Sequence, residues 1–249
     1  MKTTWDYSEL AEAYISRPDY ADKAIDDIFN ISGIKPKSMV CDIGAGVGHL
    51  TIMLFERGMA VTAIEPNDEM RKRGIKRTEK FQNIRWVEAT GETTNQPSGS
   101  FDLVTFGSSF NVVDQQKALL ECKRILKHNG WFACMWNHRD INDKIQNVIE
   151  GIIRNEIKEY DYGVRRQDQT EVINKSNLFK EVRKIEAVIS HKQNVEDCIV
   201  EWKSHATLQR QAGNKFPVII NKIEEFLHSL HQDSILIPYT TRIWLAQLK

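Results

Sequence analysis

The chain has 249 residues, 41% of them hydrophobic, and 34 Lys plus Arg balance 34 Asp plus Glu, so its formal charge is zero. That length supports one sizeable core with decoration, and a neutral balance offers no global positive field to hold a polyanion, which argues against nucleic acid as the main partner. Four cysteines with no C-x-x-C pair supply neither a zinc site nor a disulfide framework, and the absence of an apolar run of about 18 residues or of a charged-then-apolar leader leads to the expectation of a cytoplasmic protein that stays off the membrane.

In chain order, apolar periodicity places a first helix at residues 19–30, ending near Gly33. Strands are expected at residues 39–43, 61–64, 84–88, 103–106 and 131–136, with helices at 50–57, 67–80 and 114–126 between them. Gly58 and Asn129-Gly130 read as helix stops, and Asp114 as the cap of the helix that follows it. Such alternation demands a parallel sheet covered on both faces, with ligands bound outside the carboxyl ends of its strands. Beyond Asn137 the pattern gives helices at 140–159 and 168–177, a strand at 179–189, helices at 195–207 and 216–230, and a closing strand at 239–248. The expected fold is α/β: one domain built on a doubly wound, mostly parallel, seven-stranded Rossmann-like sheet. In it, 1–35 form an N-terminal cover and 36–139 the cofactor-binding core, 140–178 and 191–232 are helical insertions forming a lid, and 179–190 and 239–249 are closing strands.

The stretch Val40-Cys41-Asp42-Ile43-Gly44-Ala45-Gly46-Val47-Gly48-His49 reads as a strand turning through glycines into a helix. Gly44 and Gly46 permit positive φ and a close approach to a ligand, and Gly48 lets the next helix sit tightly on the strand. Asp42, two residues before the first glycine, would repel a pyrophosphate but attract the ammonium of a methionine moiety, so the spacing favours S-adenosylmethionine over NAD. Glu65 ends the next strand roughly 20 residues beyond the turn, where such folds bond a ribose diol. The basic run Arg71-Lys72-Arg73 with Lys76, Arg77 and Lys80 spreads around a helix and reads as solvated surface.

These residues resemble the class I S-adenosylmethionine-dependent methyltransferases. Thr90-Gly91-Glu92 occupies the place where that family holds the adenine ring, and Lys123-Arg124-Ile125-Leu126-Lys127 resembles its K-R-x-L-K-P-G-G helix and turn, with His128-Asn129-Gly130 in place of P-G-G. Asn tolerates left-handed geometry, so this departure concerns turn chemistry. The closer similarity is to small-molecule methyltransferases of the type 11 kind, carried by Tyr14, Arg17, Pro18 and Tyr20, by Ser109 to Asp114 and by Trp136 to Asp140. Asn111-Val112-Val113 stands where that kind usually has His-Trp-Phe, so an imidazole and an indole facing the active site are missing.

The resemblance implies a cofactor set of Tyr14, Arg17, Asp42, Gly44, Ala45, Gly46, Gly48, Glu65, Pro66, Thr90, Gly91, Glu92 and Ser108, with the Arg17 guanidinium on the methionine carboxylate. It implies a small-molecule acceptor methylated on oxygen, nitrogen or carbon with Trp136 beside it, in a monomer or homodimer, and no metal is expected; Asn111, whose amide donates and accepts hydrogen bonds but takes no proton, is expected to orient the acceptor by its own chemistry. His138 is the candidate base, although methyl transfer from a sulfonium needs mainly alignment and many such sites work without one. His49 reads as a helix-start residue. Trp5, Tyr7 and Tyr20 fit a pocket wall or the core equally. A sensor that binds the cofactor without catalysis remains open because of the missing His-Trp pair, and an NAD-dependent oxidoreductase is a third reading.

Overall fold

Helix α1 (Asp22–Ser32) buries Ala24, Ile25 and Ile28 and stops at Gly33, whose φ of 71° gives the left-handed cap anticipated there. Strand β1 (Met39–Ile43) follows and pairs in parallel with β2 (Ala60–Ile64) on one side and β4 (Phe101–Gly107) on the other. The computed structural model describes residues 14–249, so residues 1–13 of the cover expected over 1–35, with Trp5 and Tyr7, lie outside the described residues. Strand β3 (Ile84–Val87) flanks β2 and β5 (Leu126–Arg139) flanks β4. The sheet has seven strands in the order β3-β2-β1-β4-β5-β7-β6, the last two being β6 (Arg183–Asn194) and β7 (Ser234–Gln247), both antiparallel to their neighbours. Strand order reverses between β1 and β4, which is where doubly wound sheets open a crevice for ligands.

The intervening helices are α2 (His49–Glu56), α3 (Asp68–Thr78) and α4 (Gln115–Ile125). Asn67 caps α3 through Met70 N–H and Asp114 caps α4 through Lys117 N–H, the second as read from the sequence. One face of the sheet packs Val40, Val61 and Leu103 against Ile25, Ile28 and Leu54 of α1 and α2. The other packs Phe106, Phe110 and Phe132 against Leu119, Cys122 and Ile125. All four cysteines are buried free thiols.

Beyond β5 the order of elements holds but their placement differs from the expectation. Helix α5 (Lys144–Glu156) starts at Asp143, whose carboxylate caps Ile145 and Gln146, and joins α7 (Val195–Lys203), α8 (Ala206–Ala212) and α9 (Phe216–Ser229) around a separate core that includes Ile149, Ile153, Ile199, Ile219, Ile223 and Leu227. The helix expected at 195–207 breaks after Ser204 because His205 Nδ1 accepts from Leu208 N–H and starts α8 anew. Helix α6 (Thr170–Lys175), expected in the lid, contacts α4 and sends Ile173 into the sheet core.

The closing strands also shift. Phe179 makes only an isolated bridge to Leu248, while β6 and β7 pair from Arg183 with Leu245 as far as Asn194 with Ser234, beyond the end of β5. Residues 191–194 therefore belong to a strand and not to the insertion. The closing strand expected at 239–248 starts earlier, at Ser234, so that Pro238 lies inside β7. Its carbonyl accepts from Asp140 N–H, so its missing donor faces the side on which β5 has already ended. The resulting two-stranded arm carries Ile235, Ile237 and Tyr239 into the core of these helices.

Candidate active site

At the carboxyl end of β1 the chain turns through Gly44, Gly46 and Gly48 with φ of 68°, 58° and 91°. A Cβ on Gly44 would lie 2.4 Å from Ser109 Cβ, so this glycine lets the end of β4 close on the turn, where Ser109 Oγ donates to Ile43 O at 2.6 Å. Nothing lies within 4 Å of the Cβ position at Gly46, so the open face of the turn is there. Gly48 is tight against the Trp86 ring of β3.

Glu65 ties the turn to the next one. Its Oε2 accepts from Gly46 N–H and its Oε1 from Asn67 N–H, both at 2.8 Å, while Gly44 and Ala45 donate to Ile64 O at 2.8 and 3.0 Å. Burial raises its pKa, opposed by the two backbone hydrogen bonds. Pro66, between Glu65 and Asn67 in the chain, is half-buried. Asp42 is wholly buried beneath the turn, its oxygens accepting from Thr51 Oγ1 at 2.7 Å and Thr105 Oγ1 at 3.0 Å. Desolvation pushes its pKa up to about 6 against those hydrogen bonds. Both hydroxyls escaped the sequence reading, although each is a polar residue on the buried side of an apolar run.

Residues 14–20 pass over this end of the sheet. Tyr14 packs on Val47 and Met70, and both ring nitrogens of His49 meet acceptor oxygens, Nε2 at 2.8 Å from Tyr14 O and Nδ1 at 2.6 Å from Asp19 Oδ1. The hydrogen bond from His49 lowers the Asp19 pKa. Asn137 Nδ2 donates to Asp19 O at 2.9 Å, and Tyr20 OH meets Ser108 Oγ at 2.9 Å. Ser108 holds a φ of 59° at the end of β4, a strained setting for a residue with a side chain. Tyr20 is 8% exposed and belongs to the core on the α1 side. Arg17 lies 3.5 Å over the Tyr14 ring and feels the charge of Glu201 in the lid.

After β3, Glu92 Oε1 accepts from Asp114 N–H at 2.8 Å, and a Cβ on Gly91 would lie 2.9 Å from Val113, so residues 90–92 are held against the loop that leads into α4. Thr90 beside them is partly exposed. The two residues assigned to the acceptor meet each other, Trp136 Nε1 donating to Asn111 Oδ1 at 3.1 Å. Trp136 is only 2% exposed and packs edge-to-face on Trp244, so its ring is core and its polar edge is spent on Asn111. His138 Nε2 donates to Arg165 O at 2.7 Å, and its buried Nδ1 has no hydrogen-bond partner among the described residues. Burial lowers its pKa to about 4, opposed by the bond to Arg165, so the ring is neutral at pH 7 and a weak proton acceptor. No local signal announced Arg165. Among the described residues, no cluster of three or more His, Cys, Asp or Glu is placed to hold a metal, and no helix is long and apolar enough to cross a membrane.

Residues 41–134, from β1 into β5, match the family model of a methyltransferase domain. Over this region the chain is similar to methyltransferase domains. It is similar to an uncharacterized methyltransferase of Mycobacterium tuberculosis, 33% identical over 124 residues that cover 50% of this chain and 48% of the relative. A ubiquinone/menaquinone biosynthesis C-methyltransferase of Rickettsia akari is 33% identical over 108 residues, covering 39% and 44%. The chain thus spans about half the length of the curated relatives it matches. Among solved structures, one described as a type II methyltransferase from Anaeromyxobacter dehalogenans matches with a TM-score of 0.65 at 14% identity, over 94% of this chain and 97% of that one. A phosphoethanolamine N-methyltransferase of Haemonchus contortus, in complex with phosphomonomethylethanolamine and S-adenosylhomocysteine, matches with a TM-score of 0.55 at 15% identity, over 96% and 56%. At such identities the likeness is one of fold.

Proposed function

We propose that the chain transfers a methyl group from S-adenosylmethionine to a small-molecule acceptor by in-line displacement. One observation carries this reading: the open face of the turn at Gly46 lies between two buried acids at adjoining strand ends, Asp42 beneath it and Glu65 on its amide. Those residues fit the cofactor. Glu65 oxygens can accept from a ribose diol beside the two amides they already hold, since a carboxylate offers about four acceptor sites. The Asp42 charge would favour a cation above the turn, and Tyr14, Arg17, Ala45, Thr90, Gly91, Glu92 and Ser108 would complete the surroundings. When bound, the cofactor supplies an electrophilic methyl group on a sulfonium.

The rest falls to the chain. Residues 14–20 and the lid exclude water, and alignment of the acceptor replaces strong base catalysis. Asn111, with its carbonyl committed to Trp136, would orient the acceptor, because an amide cannot take a proton at neutral pH. His138 Nδ1 offers an accepting lone pair of low basicity.

Incubation of purified protein with methyl-labelled S-adenosylmethionine and fractionated small metabolites tests the reading, with label expected in a small product. Binding of S-adenosylhomocysteine with no labelled product in any fraction would leave a cofactor sensor. Calorimetry should show S-adenosylmethionine and S-adenosylhomocysteine binding and NAD not, and micromolar NAD binding with no response to S-adenosylmethionine would overturn the cofactor assignment.

A further inference from the structure

Where the lid meets the carboxyl end of β5, positive charge gathers in a chain whose total charge is zero. Arg139, the last residue of β5, is accounted for: it pairs with Glu201 at 2.7 Å and lies 4.3 Å over the Trp202 ring. Arg166, in the short 3-10 turn at Gly163–Arg166, makes no ion pair within 4 Å among the described residues, and the opposing charge it feels is that of Glu150, which Tyr162 and Arg154 already engage. It donates to the Arg139 carbonyl at 2.8 Å and lies 4.2 Å over the Tyr162 ring.

Tyr160 stands within the fields of Arg165, Glu150, Arg139 and Arg166, and is 4% exposed. Its buried hydroxyl has no hydrogen-bond partner among the described residues. The contrast with Tyr162 is informative, because that hydroxyl reaches the Glu150 carboxylate, which also takes the Arg154 guanidinium. A purely structural network would satisfy Tyr160 in the same way. His138, 6% exposed, borders the group through its bond to Arg165 O and leaves Nδ1 unpartnered.

A guanidinium keeps its charge at any working pH, and buried polar groups without partners are rare in folded proteins, so their concentration at one place points to a ligand that completes them. A planar cation and a phenol hydroxyl together suit an oxyanion. We propose that this junction is the subsite for an acidic group of the methyl acceptor, a carboxylate or a phosphate, held by Arg166 and Tyr160, with His138 Nδ1 accepting from a hydroxyl or amine of the same molecule. The subsite rests on the methyl-transfer reading of the glycine turn and names the class of acceptor it serves.

The test is calorimetry on protein saturated with S-adenosylhomocysteine, titrated with benzoate, phenyl phosphate and benzyl alcohol, which share a ring and differ in the group attached. At least one anion should bind at least tenfold more tightly than the alcohol, and the tighter of the two tells carboxylate from phosphate. Tyr160→Phe, which removes one oxygen and keeps the packing, and Arg166→Gln should each weaken that anion at least tenfold while leaving S-adenosylhomocysteine affinity within twofold. Equal binding of alcohol and anions, no anion binding by the parent protein, or Tyr160→Phe binding the anion as tightly as the parent would overturn the subsite. Loss of S-adenosylhomocysteine affinity in step with the anion would assign the cluster to the cofactor and also overturn it. Failure of the parent protein to bind S-adenosylhomocysteine would instead sink the methyl-transfer reading, and the same titration of the free protein would still decide the anion site.

Discussion

Asp42 and Glu65 show how two acids near the ends of neighbouring strands acquire different work. In the fold Asp42 holds its proton up to about pH 6, against an ordinary value of 3.8, because it is wholly desolvated. The folded chain therefore binds more protons in that window, and the Asp42 contribution to stability falls as pH rises from about 4 to about 6. A cation above the turn favours the ionised form. Affinity for S-adenosylhomocysteine should therefore rise between about pH 5 and pH 7, and Asp42→Asn should abolish the rise. Calorimetry across that range reads it, and a flat profile in the parent protein would remove Asp42 from the cofactor's surroundings. Glu65 is structural and ligand-facing together, since Gly46 and Asn67 amides depend on it. Glu65→Ala should lower stability by about 1–3 kcal/mol and cofactor binding by about 1.5–3 kcal/mol, whereas Glu65→Gln, which keeps one acceptor oxygen, should recover part of the stability. Denaturant unfolding and calorimetry separate the two effects, and unchanged cofactor affinity in Glu65→Ala would show the ribose assignment to be mistaken.

Among the elements, the segment at 14–20 depends on side chains from α2 and β5 for its position over the turn, with His49 holding both Tyr14 O and Asp19 Oδ1. Such tethering is weaker than packing into a core. Hydrogen exchange at residues 14–20 should slow when S-adenosylhomocysteine binds, and His49→Ala should speed it while global stability stays nearly constant. Equal protection with and without ligand would take the segment out of the site. The helix-start reading of His49 was right in position and incomplete in role, because the partners of its ring lie 30 and 35 residues away.

At the scale of the molecule, the sheet carries two cores on its faces, and the helices proposed as a lid carry a third, joined to the sheet by the extended β6–β7 arm. The separation predicts separable effects. Ile223→Ala, at a residue 1% exposed in the lid core, should destabilise by about 2–5 kcal/mol. With an acceptor in hand it should raise the acceptor KM while S-adenosylhomocysteine affinity is retained, because the glycine turn packs in another core. Parallel loss of cofactor affinity would show that lid and turn act as one unit.

What the sequence determined by itself is local or periodic. The glycine turn, the acids at the ends of β1 and β2, the caps at Gly33 and Asp114, and the strand-helix alternation through β5 all follow from backbone freedom and burial patterns a few residues long. The tertiary structure decided what depends on distant partners. Pro238 could sit within β7 only because β5 ends beside it, and Ile173 joined the sheet core only because α6 met α4. The indole of Trp136, legible as an aromatic after the fifth strand, turned into the core because Asn111 and Trp244 complete its surroundings. His138 became a neutral ring because the lid buried it on the Arg165 carbonyl. No window along the chain contains both members of any of these pairs, so burial and hydrogen-bond satisfaction, which fix their chemistry, exist only after the elements have packed.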